Sequence, residues 1–317
     1  MHLGGWKSAC RVIWVLLLAT TISTAQSHAN DSGSAAQSCL HPSIPVTVVR
    51  NDEGRELQPA QVQVTVEGIK AVVLSFEPAH IAPRVVLLVD TSSSMARFSG
   101  ASWENEWSVA ELALDALPQQ SQVAVVTFGE DVRVKGFDSK QAAAQTLVQA
   151  SATKAHGRTP LYSAAEQSLH LFGAPQFGDA IFIVSDAGDN AGAAKRKALS
   201  SEFVRRGIRC FVILLRLQNE ALTPEERQGG PELADIGKVT GGNTWVLEPK
   251  WPSGKERSDL IARIQSQIGM PNRLDLTLAA SPAKPAKLKV ASSLKGVELA
   301  YPQRIETCSS ERSASTP

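Results

Sequence analysis

The most constraining feature of this 317-residue chain is a repeated succession: a short continuous apolar run, then a segment with helical spacing. Val85-Val86-Leu87-Leu88-Val89 has no polar residue to turn toward solvent, as expected of a parallel strand covered on both faces. After it, Trp107, Ala110, Leu114 and Leu117 fall on one helix face, and Pro118 ends the pattern. The alternation continues through a strand at 123–128, helices at 140–150 and 161–172, and a strand at 180–184. A helix at 194–206 closed by Gly207, a strand at 208–215, a helix at 231–239, a strand at 243–247 and a helix at 255–268 complete it. Strands alternating with helices of this length predict an α/β core over 84–270 with a doubly wound, mainly parallel sheet.

Period-two patterns lie on both sides of that core, at 46–49, 62–66 and 72–76 and again at 274–278, 287–290 and 297–299. They predict short strands, with 44–80 and 271–308 expected to build one small β module from the two chain ends. Residues 26–43, rich in Ser, Ala and Gln, read as a flexible leader and 309–317 as a tail.

Lys7 and Arg11 precede an apolar stretch at 12–19, and small-residue sites follow. This is the pattern of a secretory signal at 1–25, with cleavage after Ala25 or after Ala29. An uncleaved anchor is the alternative, although the stretch is short of the roughly 20 residues a spanning helix needs. No later segment is long and apolar enough to span a bilayer. The expected location is therefore secreted or periplasmic. Export permits disulfides. Cys210 sits inside a buried strand pattern and reads as an inert thiol, whereas Cys39 and Cys308 lie near the two ends of the mature chain and are expected to pair. Titration of the unfolded chain without reductant should then find no reactive Cys39 or Cys308, and three free thiols would refute the bridge.

Formal charge is +1 and aromatic content 5%, which gives neither a polyanion-attracting field nor stacking platforms, so nucleic acid is not an expected partner. Ligands of open α/β sheets bind beyond the carboxyl ends of the strands. There the sequence places Asp90-Thr91-Ser92-Ser93-Ser94, then Gly157-Arg158-Thr159-Pro160 before a helix, then Ser185-Asp186-Ala187-Gly188-Asp189-Asn190. Two carboxylates and three hydroxyls on one edge form a hard oxygen set suited to Mg²⁺ or Mn²⁺.

This constellation resembles the metal-ion-dependent adhesion site of the von Willebrand factor A (VWA) family, and the resemblance covers the strand–helix order from 84 to 268. The chain looks similar to secreted bacterial proteins with an A-domain core, a Rossmann-like fold. The resemblance implies that Asp90, Ser92 and Ser94 match the Asp-x-Ser-x-Ser loop, Thr159 the family's lone Thr, and Asp186 its second Asp, with Ala187 where a Gly is usual. It also implies a Mg²⁺-type cation with a vacancy filled by a Glu or Asp of a protein ligand, and no enzymatic activity. Trp103 and Arg158 are candidate partner contacts, Trp107 a core residue, and Asp189 either an outer acceptor or a solvated charge. Three other readings compete. In the first, the Ser and Asp groups only cap helices, leaving a metal-independent structural or assembly component. A serine hydrolase would need a Gly-x-Ser-x-Gly frame that is absent here, with His156 as its base. Phosphoryl transfer would want a second carboxylate where Ser92 stands.

Overall fold

The computed structural model describes residues 40–306 apart from 53, 97–100, 192–194, 217–221, 248–253 and 283, and only the backbone of 96 and 101–106. The signal segment, the leader up to 39, Cys39, Cys308, the tail and the side chain of Trp103 lie outside the described residues.

The core begins with β5 (Arg84–Asp90), a helical turn α1 (Ser93–Ala96) and α2 (Ala101–Asp115). Next come β6 (Gln122–Phe128), β7 (Val132–Ser139), α3 (Lys140–Ser151), α4 (Leu161–His170) and β8 (Ala180–Ser185). α5 (Arg196–Arg206), β9 (Arg209–Leu215), α6 (Pro224–Val239), β10 (Thr244–Leu247) and α7 (Gly254–Ile268) end it. The six strands form one sheet in the order β10-β9-β8-β5-β6-β7, parallel except for β7 at the edge. The doubly wound arrangement read from the sequence is the one the chain adopts.

Alternation along β5 explains its unbroken apolar run. Val85, Leu87 and Val89 pack with α2, α3 and α7 through residues such as Leu112, Leu147 and Ile264. Val86 and Leu88 face the opposite layer, against Leu161 and Leu169 of α4, Phe203 of α5 and Ile236 of α6. Each residue therefore leaves water whichever way it points, and each full burial contributes about 1.5–3 kcal/mol.

The flanks supply β1 (Ser43–Asn51), β2 (Val62–Val66), β3 (Ile69–Lys70) and β4 (Val72–Pro78) before the core. After it come β11 (Asn272–Thr277), β12 (Ala286–Ser292), β13 (Val297–Ala300) and β14 (Arg304–Ile305). They interleave as two four-stranded sheets, β13-β1-β11-β4 and β14-β12-β2-β3, so the two chain ends do build one module. The two sheets share a core of Val46, Val64, Phe76, Leu274, Leu288 and Val290 among others. The module docks on the core where the Gln303 amide donates to the Val239 carbonyl (2.9 Å) and the Thr47 hydroxyl to the Gln267 carbonyl (3.3 Å).

At the amino ends of the strands, Arg84 grips the buried Asp179 with Nε and Nη2 at 3.0 and 2.6 Å. Its guanidinium also lies 5.4 and 5.5 Å from the Phe137 and Phe172 ring centres. Nearby, the fully buried Arg209 donates to the Gly178, Gln267 and Ile268 carbonyls at 3.2, 3.1 and 3.3 Å, closing the end of α7. Burial pushes this guanidinium down to about 10, against the opposing pull of Asp179.

Several elements differ from the sequence reading. β7 was not foreseen, because its alternation of Val and charged residues belongs to an exposed antiparallel edge rather than to a buried strand. α2 starts six residues before Trp107. α6 starts at Pro224, not Pro231. Thr223 and Glu226 form a reciprocal capping box there, and Pro231 is accommodated inside the helix. The three short strands expected at 46–49, 62–66 and 72–76 are present, with β2 in a different sheet from β1 and β4.

Candidate metal centre

β6 and β7 lie on one side of β5 and β8 to β10 on the other, so the chain order reverses between β5 and β8. Register pairs Val89 with Val184, which sets Asp90 and Ser185 side by side at the carboxyl edge of that switch point. Asp90 Oδ2 accepts the Ser185 hydroxyl at 2.6 Å, and its Oδ1 accepts the Ser92 amide at 2.9 Å. Thr159 Oγ1 donates to Ser92 Oγ at 2.9 Å, and Ser92 Oγ lies 2.9 Å from Ser94 Oγ. Asp186 accepts the Gly188 amide at 3.2 Å. Asp90 and Ser92 are fully buried, Thr159 and Asp186 nearly so, and Ser94 half-buried. Three separate loops thus bring Asp90, Ser92, Ser94, Thr159 and Asp186 to one end of the sheet.

Asp90 and Asp186 make the centre electrostatically unfinished. Burial and, after it, the neighbouring Asp186 together push the Asp90 carboxyl up to about 7, against the bonds from Ser185 and Ser92, which oppose the rise. A cation between two such carboxylates would remove both penalties. The hydroxyl spacing suits the same ion: ligands at about 2.0–2.1 Å around octahedral Mg²⁺ sit about 2.9 Å apart along each edge. Among the described residues no group of three or more His, Cys, Asp or Glu could hold a metal, so a soft or imidazole-rich site is not available. The donors that are present fit a hard ion.

The surrounding loops are tightly fixed. The His156 amide donates to the Thr91 carbonyl (2.9 Å) and the Ser93 amide to the Gly157 carbonyl (3.0 Å), tying the Thr159 loop to the Asp90 loop. Gly157 sits at φ +84°, and a Cβ there would meet the Glu130 backbone at 2.3 Å, so only glycine lets the Thr159 loop lie against the β6–β7 connection. Asn190 holds Thr159 from the other side: its side-chain oxygen accepts the Thr159 amide (2.9 Å), and its own amide donates to the Thr159 carbonyl (3.1 Å). Asn190 and Ser185 are positioning residues that the sequence reading passed over. The available signal was their place directly at the end of the β8 run.

Ala187, where the family pattern has Gly, adopts φ +70° and is buried, a left-handed conformation costing a non-glycine residue about 1–2 kcal/mol. α6 presses on it: a Cβ on Gly229 would lie 1.7 Å from the Ala187 carbonyl oxygen. Gly229→Ala is therefore expected to push α6 off the Asp186 loop and to destabilise the protein by about 3 kcal/mol, read as a lowered urea midpoint.

Other expected residues fall as follows. Trp107 is buried in the core, as read. Arg158 is exposed beside Thr159. The His156 ring is engaged at both nitrogens, by Glu130 (3.2 Å) and by the Lys154 carbonyl (2.9 Å), and reaches none of the hydroxyls. Asp189 borders a shallow cavity with Tyr162 and Glu232.

Residues 85–189 match the family described as von Willebrand factor type A domain. Over this stretch the chain is similar to a VWA domain. The match spans the strand β5, the Asp90 loop, Thr159 and the Asp186 loop. No curated protein matches the chain in sequence. Among solved structures it is similar to the conserved hypothetical protein BatB from Bacteroides thetaiotaomicron, at 17% identity and TM-score 0.45 over 58% of this chain and 98% of that one. An aerotolerance-related membrane protein from Bacteroides fragilis is 18% identical, with TM-score 0.44 over 59% and 98% of the two chains. The von Willebrand factor type A protein from Catenulispora acidiphila is 12% identical, with TM-score 0.47 over 84% and 73%. Among the described residues, no helix is long and apolar enough to cross a membrane.

Proposed function

We propose that this VWA domain is an exported interaction module that grips an acidic side chain of a protein ligand through a Mg²⁺-type ion. The observation carrying this reading is the hydroxyl chain Thr159–Ser92–Ser94, with both separations at 2.9 Å, beside two buried carboxylates, of which Asp186 raises the proton affinity of Asp90. Ser92, Ser94 and Thr159 would hold the ion together with Asp90 and Asp186. When bound, the ion supplies a Lewis-acidic position for a partner's Glu or Asp. The protein's own part is to fix the donors, keep Asp90 ionised against its burial, and leave the hydroxyl-rich side open.

Pull-down from the exported fraction with Mg²⁺ or with chelator tests this. Capture is expected with Mg²⁺ and to vanish with chelator and in Asp90→Ala. Partner capture unchanged by both would refute the metal grip. It would favour the second reading, a metal-independent assembly component, for which the supporting observation is that Asp90, Ser185 and the three hydroxyls already satisfy one another by hydrogen bonds.

A further inference from the structure

α5 and α6 face β12 and β14 across a groove of about 850 Å³ between the VWA core and the β module. No residue of the candidate metal set lines it. Arg196, Lys197, Lys287, Lys289 and Arg304 line the groove, with Asp235 the only carboxylate among the lining residues, while the part-exposed Val239 and Tyr301 supply apolar surface. Asp235 is engaged by Arg196 at 3.3 Å, and Glu232 lies 3.8 Å from the same guanidinium. Among the described residues, Lys197, Lys287, Lys289 and Arg304 make no ion pair.

Two local features hold these charges together against stability. α5 opens with Lys195, Arg196 and Lys197, has no acidic residue in its first turn and no side-chain cap, so cations crowd the positive end of the helix dipole. Lys287 and Arg304 are direct cross-strand partners, a like-charge pair that weakens a ladder. Neither helps the fold, and both strengthen one positive field in one groove. The burial pattern of β12 sets Lys287 and Lys289 on the same outward face, about 7 Å apart, the repeat of alternate side chains in an extended chain.

We infer that this groove binds an extended acidic peptide segment of a partner protein, with carboxylates alternating with apolar side chains. Alternate carboxylates meet Lys287 and Lys289, while Lys197 and Arg304 flank the chain and the intervening side chains rest on Val239 and Tyr301. A concave groove with an apolar floor does not suit a flat lipid surface, and the lone ring of Tyr301 offers no stacking series for bases. This site is independent of the metal reading.

Fluorescence anisotropy with a labelled peptide of about eight alternating Glu and Leu residues, in chelator, tests the inference. Saturable binding is expected at about 50 mM salt and should weaken at least about tenfold at about 300 mM, because the cations are exposed. The exposed double change Lys287→Glu with Lys289→Glu should weaken it by at least as much while circular dichroism stays unchanged, and Lys287→Gln with Lys289→Gln should fall between. Absence of binding at low salt, or equal binding by the charge-reversed protein, would overturn the inference. So would tighter binding of a single-stranded oligonucleotide or of phosphatidylglycerol vesicles than of the peptide. Because chelator is present throughout, loss of the metal grip and loss of this groove are read separately.

Discussion

Asp179→Ala is expected to lower the unfolding free energy by about 3–5 kcal/mol, among the largest effects of any single change in this protein. Asp179 has no solvent exposure and receives both Nε and Nη2 of Arg84, which starts β5, together with the Gln176 amide at 2.8 Å. It also sits at the start of β8 and offsets part of the burial penalty on Arg209, which starts β9. Truncation would leave one buried guanidinium without its carboxylate and weaken the compensation of a second, at the amino ends of three adjacent strands. Among the described residues Arg84 would retain the Phe137 and Phe172 faces and the Ala174 carbonyl. The measurement is urea unfolding followed by far-ultraviolet circular dichroism, with a lowered midpoint at unchanged slope. Arg84→Met combined with Asp179→Ala should lose less than the sum of the two single changes, since the pair is removed together. A midpoint shift for Asp179→Ala worth less than about 1 kcal/mol would mean that water reaches Arg84 and that the ion pair is not what joins the strands.

The core was legible because its constraint is strong. Residues 85–89 must be covered on both faces, and a run with that need followed by helical spacing has few folded solutions. The oxygen donors were legible for a related reason: those of the Asp90 and Asp186 loops stand directly beyond apolar runs, and Thr159 just before a helix, where a doubly wound sheet gathers its loops. Less visible were features decided by neighbours distant in sequence. β7 carries alternating charges because its outer edge meets solvent, so its pattern resembles that of a loop. Pro231 was read as a helix start by the usual preference, yet α6 starts seven residues earlier, at Pro224, capped by the Thr223–Glu226 box. Ser185 acts through one hydrogen bond to Asp90 and Asn190 through two to Thr159, and beyond their place after the β8 run nothing in their local sequence distinguishes them from other loop residues. Arg209 stands inside what reads as an apolar strand. Its partners are carbonyls of Gln267 and Ile268, almost sixty residues away, which no local pattern reveals.

Mg²⁺ is expected to stabilise the protein far more at pH 8 than at pH 5, and this difference should disappear in Asp90→Asn. The sign follows from the Asp90 carboxyl, which rises in the folded protein from 3.8 to about 7 through burial and the proximity of Asp186. Between those values the folded chain binds a proton that the unfolded chain has lost, so without metal this group's contribution falls as pH rises from about 4 to about 7. A full shift of that size corresponds to about 4 kcal/mol of stability lost by neutral pH, an upper bound because Asp90 and Asp186 titrate together. A divalent ion reverses the preference: it binds the ionised pair and returns the loss, whereas at pH 5 it must first displace a proton. Thermal unfolding with Mg²⁺ or chelator at the two pH values reads this directly, at roughly 2–4 °C per kcal/mol for a chain of this size. Comparing wild type with Asp90→Asn isolates the Asp90 contribution from that of Asp275, whose carboxyl is held below its ordinary value by Ser43, Arg273 and Ser75 and therefore acts in the opposite direction. Equal Mg²⁺ shifts at both pH values, or the same shifts in Asp90→Asn, would show the ion acting elsewhere. The buried carboxylates would then be a strained structural feature held by Ser185 and Ser92 rather than the floor of a metal site.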